Sequence, residues 1–339
     1  MVGCMIGLID IRAARERVAR HVHHTPLVRS TTLSERSGTN VYLKLELLQK
    51  TGSFKPRGAF NQLLVSMQAT GARDFVGASG GNFAQGLAYA GSELGVATTV
   101  VMPESTPANY VEATRGYGAS VEMAPDIATV FARVDELATA GVTKVHPFDD
   151  PAMMAGNGTL GLELVEEVPE ITDVFVSVGG GGLITGVGLA IHGLRPKARI
   201  WAVETDGAQV LHDSLAAGRP LTMTPTSLAK TLGSPYLAST AFEFAVDHIE
   251  ASLEVTDAMA YQSLLFLLER AKVLSELAAA CTLAAFEREV DRFGPHDHVV
   301  LVLCGGNVSA DDLGRYAELF RDGGSPRPTA SGRALTAPS

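Results

Sequence analysis

Short apolar segments alternate with helix-like segments along most of the chain, and this alternation limits the possible folds more than any other feature. The segments NVYLKLEL (40–47) and ATTVVMP (97–103) are typical of buried strands, whereas 128–141 has helical spacing. Buried strands that alternate with helices predict parallel sheets with helices on both faces, which is the α/β class. The same pattern predicts strands at 74–79, 119–124, 173–178, 199–204 and 298–307, and helices after Pro56, within 80–95, and at 108–118, 158–168 and 256–270.

Length, composition and charge agree with a globular protein of two domains. The chain has 339 residues, 46% of them apolar, and domains commonly hold about 100–200 residues. Its net charge of −10 gives no electrostatic reason to bind nucleic acid or an anionic membrane. No apolar run reaches the roughly 18 residues of a membrane span. The stretch 321–339, rich in Gly, Pro, Ser and Thr, is predicted to be a disordered tail.

The cysteines argue against a zinc site or a disulfide framework. Cys4, Cys281 and Cys304 show no CxxC spacing. The N-terminus also lacks the basic region and cleavage pattern of a signal peptide. A reducing compartment is the simplest setting, so we expect a cytoplasmic protein.

Glycine-rich loops follow three of the predicted strands. They are SGGN (79–82), GGGG (179–182) and CGGN (304–307). In open α/β sheets ligands bind at the carboxyl ends of strands, where glycine allows close approach and the next helix offers free N–H groups. The four consecutive glycines therefore predict a phosphate cradle. GxGxxG does not fit this run and the chain has no GxxxxGK[ST], so NAD and ATP are not favoured.

One lysine has an unusual local sequence, TGSFKPRGA (51–59). Lys55 lies between Phe54 and Pro56, and proline is typical of the first turn of a helix. A surface lysine needs neither an aromatic neighbour nor the glycine and hydroxyl residues around it. We therefore interpret Lys55 as a reactive residue.

Taken together, these motifs resemble those of the fold-type II pyridoxal-phosphate enzymes. TGSFKPRGA, SGGNFAQGLAYA, HPFDD, GGGGLITG and CGGN are most similar, in order and spacing, to the threonine/serine dehydratases and their serine racemase relatives. The resemblance implies a tryptophan synthase β-like fold with two domains, each a mostly parallel twisted sheet with helices on both faces. Residues 1–70 and 148–320 would form the large cofactor-binding domain, and 71–147 the small domain with the substrate loop.

The resemblance also implies how pyridoxal phosphate is bound. Lys55 would bind it covalently, which needs a neutral amine and thus a pKa below the usual value near 10.4. Phe54 would lie beside the cofactor, Asn82 would contact its ring hydroxyl, and Cys304 would face the pyridine nitrogen. A thiol cannot keep that nitrogen protonated as a carboxylate would, which favours elimination over a long-lived carbanion. The phosphate would be held by backbone N–H groups of Gly179, Gly180, Gly181, Gly182 and Leu183.

The implied substrate is an amino acid held by its carboxylate. The loop that would grip it consists of Ser79, Gly80, Gly81 and Asn82. Phe83, where relatives commonly have His or Ala, lies either in the pocket or under the helix. The implied enzyme is an ammonia-lyase (dehydratase): L-threonine, L-serine or a related 3-hydroxy amino acid loses its α-proton to Lys55 and then its β-hydroxyl. The products are a 2-oxo acid and ammonia.

Three alternatives share parts of this pattern. A serine or amino-acid racemase would need a second hydroxyl at the position of Gly80, so racemisation should be poor. A β-replacement synthase usually carries TSGNTG in the substrate loop. A catalytically silent small-molecule binder is disfavoured because Lys55 occurs with all three loops. A homodimer is expected from the resemblance alone.

Two further positions depart from the family pattern. The segment 202–210 matches a cation-binding segment, with Glu204 and the carbonyl of Ala208 as ligands and Glu276 able to complete the site. Val210 stands where a second carboxylate is common, so we expect a monovalent cation or none rather than tightly bound Mg²⁺. Lys230 and Thr231 replace the Asp-Gly of many relatives, and Lys230 either faces solvent or biases the choice of substrate side chain.

Overall fold

The computed structural model describes residues 6–321, and within this range the chain forms thirteen α-helices and ten β-strands. The helices are α1 (Leu8–Val18), α2 (Thr31–Ser37), α3 (Lys55–Thr70), α4 (Asn82–Leu94), α5 (Ala108–Gly116), α6 (Ile127–Thr139), α7 (Pro151–Glu167), α8 (Gly182–Leu194), α9 (Val210–Ala217), α10 (Ser239–His248), α11 (Asp257–Phe266), α12 (Leu277–Arg288) and α13 (Ala310–Leu319). The strands are β1 (Leu27–Arg29), β2 (Asn40–Leu45), β3 (Asp74–Ala78), β4 (Ala97–Pro103), β5 (Ser120–Ala124), β6 (Thr143–Lys144), β7 (Asp173–Ser177), β8 (Arg199–Thr205), β9 (Ala251–Val255) and β10 (His298–Leu303). The predicted disordered tail lies, from residue 322 onward, outside the described residues.

The larger sheet has six strands in the order β1-β2-β10-β7-β8-β9. All neighbouring pairs are parallel except β1 and β2, which are antiparallel. All five residues of β7 are buried, as expected for a strand covered on both faces. The carboxyl ends of β7 and β10 are neighbours, so the loops that follow these strands lie side by side.

The smaller sheet has four parallel strands in the order β5-β4-β3-β6. Its strands all fall between residues 74 and 144, whereas those of the larger sheet lie before and after this range. Helices α4 and α6 pack against it. The α/β class and the mostly parallel sheets predicted from the sequence are confirmed, while the domain boundaries at 70/71 and 147/148 stay a prediction.

Local side chains explain where many helices begin. Five residues accept a backbone N–H at the start of a helix through a side-chain oxygen, which replaces an acceptor that the helix cannot supply. These N-cap residues are Ser30, Asp126, Asp150, Thr256 and Ser309. Asp150 explains why α7 begins at Pro151, seven residues before the predicted start at 158.

Small residues allow the helices α3, α7 and α8 to pack closely against one another. A Cβ atom at Gly156 of α7 would lie 2.4 Å from the carbonyl oxygen of Arg57 in α3, and one at Gly158 would lie 2.8 Å from that of Gly186 in α8. The sequence GNGTLG (156–161) has GxGxxG spacing but lies inside α7, so these glycines serve helix packing rather than nucleotide binding.

Several elements were not predicted from the sequence. Helix α12 is built from LAAACTLAAFER, in which ten of twelve residues are buried and no amphipathic period is visible. It packs on β7, β8 and β10, where the stacked rings of Phe175 and Trp201 lie 5.3 Å apart. The predicted helix at 256–270 ends its regular part at Phe266, and a π-helical turn follows over Leu267–Ala271.

In the described part of the chain no helix is both long and apolar enough to span a membrane.

Candidate active site

A cavity of about 450 Å³ is lined by loops from both sheets. The loop after β3 (79–82) and the loop after β4, which contributes 105–107, come from the smaller sheet. The loops after β7 (179–182) and β10, which contributes Cys304 and Asn307, come from the larger one. All lie at the carboxyl ends of parallel strands, where ligands bind in such folds. The three glycine loops thus meet at one cavity.

Backbone pairing between two loops places Lys55 in this cavity. Gly52 adopts a left-handed conformation (φ 73°), which turns the chain just before α3. Its carbonyl accepts a hydrogen bond from the N–H of Gly306 (2.9 Å), and the N–H of Phe54 donates to the carbonyl of Cys304 (3.0 Å). The first residue of α3, Lys55, is therefore held against the loop after β10.

The Lys55 amine is enclosed by aromatic rings and one carbonyl. Its Nζ donates to the carbonyl oxygen of Pro147 (3.1 Å) and lies 5.0 Å and 5.8 Å from the ring centroids of Phe54 and Phe83. Burial lowers the pKa of Lys55 from 10.5 to about 8, although nearby acidic groups oppose this. The neutral amine needed for covalent chemistry is therefore accessible close to neutral pH.

The glycine run after β7 has no room for side chains. A Cβ atom at Gly180 would lie 2.3 Å from the ring of Phe148, and one at Gly182 would lie 2.8 Å from its carbonyl oxygen. Gly181 has a φ of 89°, and a Cβ atom there would lie 2.3 Å from that of Ala241. Close packing therefore accounts for the lack of side chains here, and it leaves the backbone as the only surface that the run can offer to a ligand.

The same backbone carries unused hydrogen-bond donors. Within residues 6–321, no protein group accepts from the N–H groups of 179–181. Gly182 and Leu183 are the first two residues of α8, which has no side-chain cap, so their N–H groups have no acceptor in the helix. All five residues line the cavity at the positive end of α8. This arrangement is suited to an anionic group such as a phosphate.

Cys304 is a buried neutral thiol at the end of β10. Burial raises its pKa to about 12, so it does not ionise near neutral pH. The hydroxyl of Ser177, the last residue of β7, donates to its sulfur (3.3 Å). A ring nitrogen placed here would meet a thiol and a hydroxyl rather than a carboxylate, as the family resemblance implied for Cys304.

The predicted substrate loop leads into α4. The N–H of Gly81 donates to the hydroxyl of Ser79 (3.1 Å), which shapes the turn. Among the described residues no acceptor is found for the N–H of Gly80. The N–H groups of Asn82 and Phe83 belong to the first turn of α4, where the helix supplies no acceptor. Phe83 both lines the cavity and packs in the core, being 2% exposed, so both interpretations of this residue apply.

Asn82 belongs to a buried hydrogen-bond network. Its Nδ2 donates to Oε1 of Glu276 (2.9 Å), and its Oδ1 accepts from Asn307 (2.8 Å). The hydroxyl of Thr231 also donates to Oε1 of Glu276 (3.0 Å). The network joins α4 of the smaller sheet to loops of the larger sheet, and Thr231, noted as a departure from the family, takes part in it.

The carboxyl group of Glu276 lies in the cavity rather than beside Glu204. Its Oε2 atom is buried and has no partner among the residues described. Burial raises the pKa of Glu276 to about 7, against the effect of the hydrogen bonds from Thr231 and Asn82 and of the charge on Lys55. Glu204 is not among the residues that line this cavity, and the part of Glu276 in a cation site stays a prediction.

Of the predicted cation ligands, Glu204 lies near the end of β8 and Ala208 in the loop between β8 and α9. The two oxygens of Glu204 accept the N–H groups of Leu211 and His212 (both 2.8 Å), so this carboxylate serves as a helix cap. Burial raises its pKa to about 8. The cation site stays a prediction, and a cation there would compete with these hydrogen bonds.

Other polar residues of the cavity were not predicted from the sequence. His146 Nδ1 accepts the N–H of Asp149 (2.8 Å), so the ring proton is on Nε2, which donates to the hydroxyl of Tyr236 (2.9 Å). Burial, with the charges of Lys144 and Lys55, lowers the pKa of His146 to about 4. The ring is therefore neutral, and the hydroxyl proton of Tyr236 is free for another acceptor.

Some of these residues could have been found by extending the carboxyl-end rule. Ser177 ends β7 directly before the glycine run, and Thr106 follows β4 as the other loops follow their strands. His146 lies in the HPFDD motif. No sequence signal distinguishes Tyr236, which comes from an irregular segment. Lys230, at the cavity mouth, is exposed, as the default for lysine suggests.

A buried ionic network holds α3 behind the cavity. Arg57 is fully buried, and its guanidinium donates to both oxygens of Glu46 (2.8 Å each) and of Glu163 (2.6 and 2.9 Å). Lys44, also fully buried, lies 2.7 Å from Glu163. These bidentate pairs fix the helix that begins with Lys55.

The cavity fits pyridoxal phosphate on several independent counts. It offers a buried lysine with a lowered pKa, a row of free N–H groups for a phosphate, and a neutral thiol and hydroxyl for a ring nitrogen. Three buried oxygens on its wall have no partner in the described part of the chain: Thr106 Oγ1, Asn157 Oδ1 and Glu276 Oε2. Unpaired buried polar atoms are costly, so a polar ligand is expected beside them.

Comparison with known proteins agrees with this chemistry. L-threonine ammonia-lyase of Thermotoga maritima is 38% identical over 318 residues, which cover 92% of this chain and 78% of the relative. The crystal structure of a threonine deaminase from T.th. matches at 34% identity with a TM-score of 0.83, covering 90% of this chain and 99% of that one. Serine racemase from Dictyostelium discoideum matches at 31% identity with a TM-score of 0.84, covering 90% and 100%.

The family model described as "Pyridoxal-phosphate dependent enzyme" matches residues 18–305. The match includes Lys55, the glycine loops 79–82 and 179–182, the first two residues of the loop 304–307, and both sheets. Over that range the order of motifs, the parallel sheets and the donor set of the cavity all agree with the match, and the chain belongs to the pyridoxal-phosphate dependent enzyme family.

Proposed function

We propose that the protein is an ammonia-lyase that converts L-threonine, L-serine or a related 3-hydroxy amino acid to the 2-oxo acid and ammonia. The observation that carries this proposal is the buried amine of Lys55, whose pKa of about 8 lets it act as a base near neutral pH. Relatives that carry the names threonine ammonia-lyase and threonine deaminase support it.

In this proposal the chain's own residues bind and orient the reacting groups. Lys55 anchors pyridoxal phosphate and, when an amino acid is bound, takes the α-proton at Nζ. The phosphate would be held by Gly179, Gly180, Gly181, Gly182 and Leu183, and the pyridine nitrogen would meet Cys304 and Ser177. Bound pyridoxal phosphate withdraws electrons from the α-carbon, which makes that proton removable. The loop 79–82 holds the substrate carboxylate at the positive end of α4.

The neutral thiol of Cys304 supports elimination over reactions that need a persistent carbanion. With a pKa of about 12 it bears no charge that could hold a protonated pyridine nitrogen. Electron withdrawal from the α-carbon is then weaker than with a carboxylate partner. Departure of a β-hydroxyl together with loss of the α-proton suits such a site.

A test is to incubate the purified enzyme with a panel of 3-hydroxy amino acids and to measure 2-oxo acid and ammonia. L-Threonine, L-serine and aromatic and acidic members belong in the panel. We expect equal amounts of the two products from at least one of them, and none from Lys55→Ala, which should also lose the visible absorbance of lysine-bound cofactor. Absence of 2-oxo acid from every member would contradict the proposal.

Racemisation is the second function to be measured, because a structural neighbour is a serine racemase. The sequence argument against it was the missing side chain at Gly80. In the structure, however, the hydroxyl of Thr106 lies 2.5 Å from where a Cβ atom of Gly80 would be, so this wall does contain a hydroxyl. D-Serine formed faster than pyruvate from L-serine would favour a racemase.

We further propose a division into two domains. The small domain, residues 71–147, carries the substrate loop, and the large domain consists of 1–70 and 148–320. The protein is also proposed to be a cytoplasmic homodimer. The separate strand ranges of the two sheets support the division, and the buried free thiols of Cys281 and Cys304 suit a reducing compartment. Light scattering of the purified protein tests the dimer, since a monomer mass would contradict it.

A further inference from the structure

An unpaired hydroxyl group lies on the cavity wall next to the loop 79–82. The Oγ1 atom of Thr106 is buried and has no hydrogen-bond partner among residues 6–321. Thr106 is one of the residues that line the cavity. A buried hydroxyl without a partner costs about 1–3 kcal/mol, so its presence indicates that a group from outside the chain completes it.

The backbone holds this hydroxyl in a defined place. The N–H of Thr106 donates to the carbonyl of Pro103 (2.9 Å), which closes a turn at the end of β4. Within the same turn, Glu104 donates its N–H to the carbonyl of Ala124 in β5 (2.8 Å). The turn is thus tied to the sheet, which fixes the backbone that carries Thr106.

Thr106 occupies the space that a side chain at position 80 would need. A Cβ atom on Gly80 would lie 2.5 Å from Oγ1 of Thr106, closer than nonbonded atoms approach. The hydroxyl therefore adjoins the part of the loop whose N–H groups are free, at the start of α4. Every unpaired group in this cluster can donate, and α4 adds the positive end of its dipole.

We propose that the Thr106 hydroxyl donates a hydrogen bond to the carboxylate of the bound amino acid. An array of donors at a helix N-terminus selects an anionic group, and the only anion common to all amino acid substrates is the α-carboxylate. Thr106 is then a specificity-determining residue that favours amino acids over amines and amino alcohols. This rests on the proposed function in one respect, that the ligand of the cavity is an amino acid.

The test compares Thr106→Val, which keeps the shape and removes the hydroxyl, with Thr106→Ser, which keeps the hydroxyl. The probes are L-alanine, which has no β-hydroxyl to lose, and L-alaninol, which lacks the carboxylate. Their binding to the cofactor-loaded enzyme is followed by the change in the cofactor's visible spectrum. Thr139→Val is the matched control, because its exposed hydroxyl donates only to a carbonyl within α6.

We expect Thr106→Val to weaken L-alanine binding about 10- to 100-fold, the range for a hydrogen bond to a charged group. Binding of L-alaninol should change less than about threefold. Thr106→Ser should recover most of the affinity, and Thr139→Val should bind both probes as the unaltered enzyme does. An unchanged L-alanine affinity in Thr106→Val overturns the proposal, and so does an equal loss for both probes, which would indicate a packing role.

A second arm uses the contact with Gly80. Gly80→Ala should displace the Thr106 side chain and weaken L-alanine binding in the unaltered background. In a Thr106→Ala background the same change meets no hydroxyl, so its effect should be largely lost. If the two substitutions lower the affinity for L-alanine by independent factors that multiply, the proposal is contradicted. This comparison does not use Thr106→Val, so it can be made even if that variant does not fold.

These outcomes separate the inference from the proposed function. The affinities for L-alanine and L-alaninol are measured without any elimination reaction. An enzyme that forms no 2-oxo acid can therefore still show the effect of Thr106 on these affinities. Conversely, an active lyase whose L-alanine affinity ignores Thr106 would disprove only the role of Thr106.

Discussion

The Nζ atom of Lys55 donates a hydrogen bond to the carbonyl oxygen of Pro147 at a distance of 3.1 Å. Pro147 belongs to a three-residue segment that contacts several parts of the site. His146 donates to Tyr236, and Phe148 packs under the glycine run at Gly180. The segment therefore connects the Lys55 amine with the glycine run 179–182, although none of its side chains is expected to react.

Replacing Lys55 should change how the stability of the cofactor-free protein depends on pH. The unfolded chain keeps this proton up to about pH 10.5 and the folded chain only to about 8, so the unfolded state binds more protons between these values. Stability from this group therefore rises with pH across that window. Lys55→Met should remove the rise and stabilise the protein below pH 8 by up to about 3 kcal/mol. Urea unfolding at pH 7 and pH 10 gives the free energy of unfolding at each pH. An equal change of this free energy with pH in the two proteins would contradict the prediction.

Glu276 should produce the opposite slope at lower pH. Its carboxyl group ionises at about 4.5 in the unfolded chain and about 7 in the folded one, so the folded state binds more protons in between and stability falls as pH rises through this window. Glu276→Gln should abolish the fall and, at pH 8, stabilise the cofactor-free protein by up to about 3 kcal/mol. The Gln side chain still offers Oε1 to Asn82 and Thr231. Unfolding curves at pH 5 and pH 8 test this, and a fall retained in the variant would exclude Glu276 as its origin.

Removing the Arg57 guanidinium should destabilise the fold severely. Arg57→Met leaves the buried carboxylates of Glu46 and Glu163 without their main partner, which typically costs about 3–5 kcal/mol. Arg133→Met is the control, because Arg133 pairs with Glu122 and Glu136 at the surface and its loss should have little effect. Chemical denaturation measures both variants, and similar changes in the two would argue against the buried network.

The tautomer of His146 can be tested by NMR. With a pKa lowered to about 4, the ring should stay neutral and protonated on Nε2 from pH 5 to 8, and its nitrogen shifts should not change in that range. Because the unfolded chain takes up this proton near pH 6.5, stability from His146 should fall as pH drops from 6.5 towards 4. Tyr236→Phe removes the acceptor of Nε2–H and should perturb these shifts. A titration of His146 between pH 6 and 7 would contradict the assignment.

Alanine at Gly180 should weaken cofactor binding and stability together. Its Cβ atom would lie 2.3 Å from the Phe148 ring, so the ring or the loop must move and the N–H groups lose their alignment. Gly116→Ala is the matched control, since no atom lies within 4 Å of a Cβ atom there and α5 should gain up to about 1 kcal/mol. Thermal unfolding and the affinity for pyridoxal phosphate report the two effects. A Gly180→Ala protein with full affinity would show that the run tolerates side chains.

Part of the site could be predicted from sequence because it depends on local pattern. Lys55, the four-glycine run and the loop 79–82 each follow a strand or precede a helix, and both features leave a signal in the order of residues. The surroundings of Glu276 left no such signal in the sequence. Its role depends on Asn82 and Thr231, which are 194 and 45 residues away in the chain.

Residue order alone predicts the α/β class, the unusual setting of Lys55 and the loops that meet at the strand ends, because apolar period, glycine and proline act on the backbone locally. Which side chains share the cavity with Lys55 follows from how distant elements pack together. The lowered pKa of Lys55, the raised pKa of Glu276 and the unpaired hydroxyl of Thr106 all arise from burial among residues far apart in the chain. Burial of this kind is a property of packing between elements, and no local pattern of residues carries it.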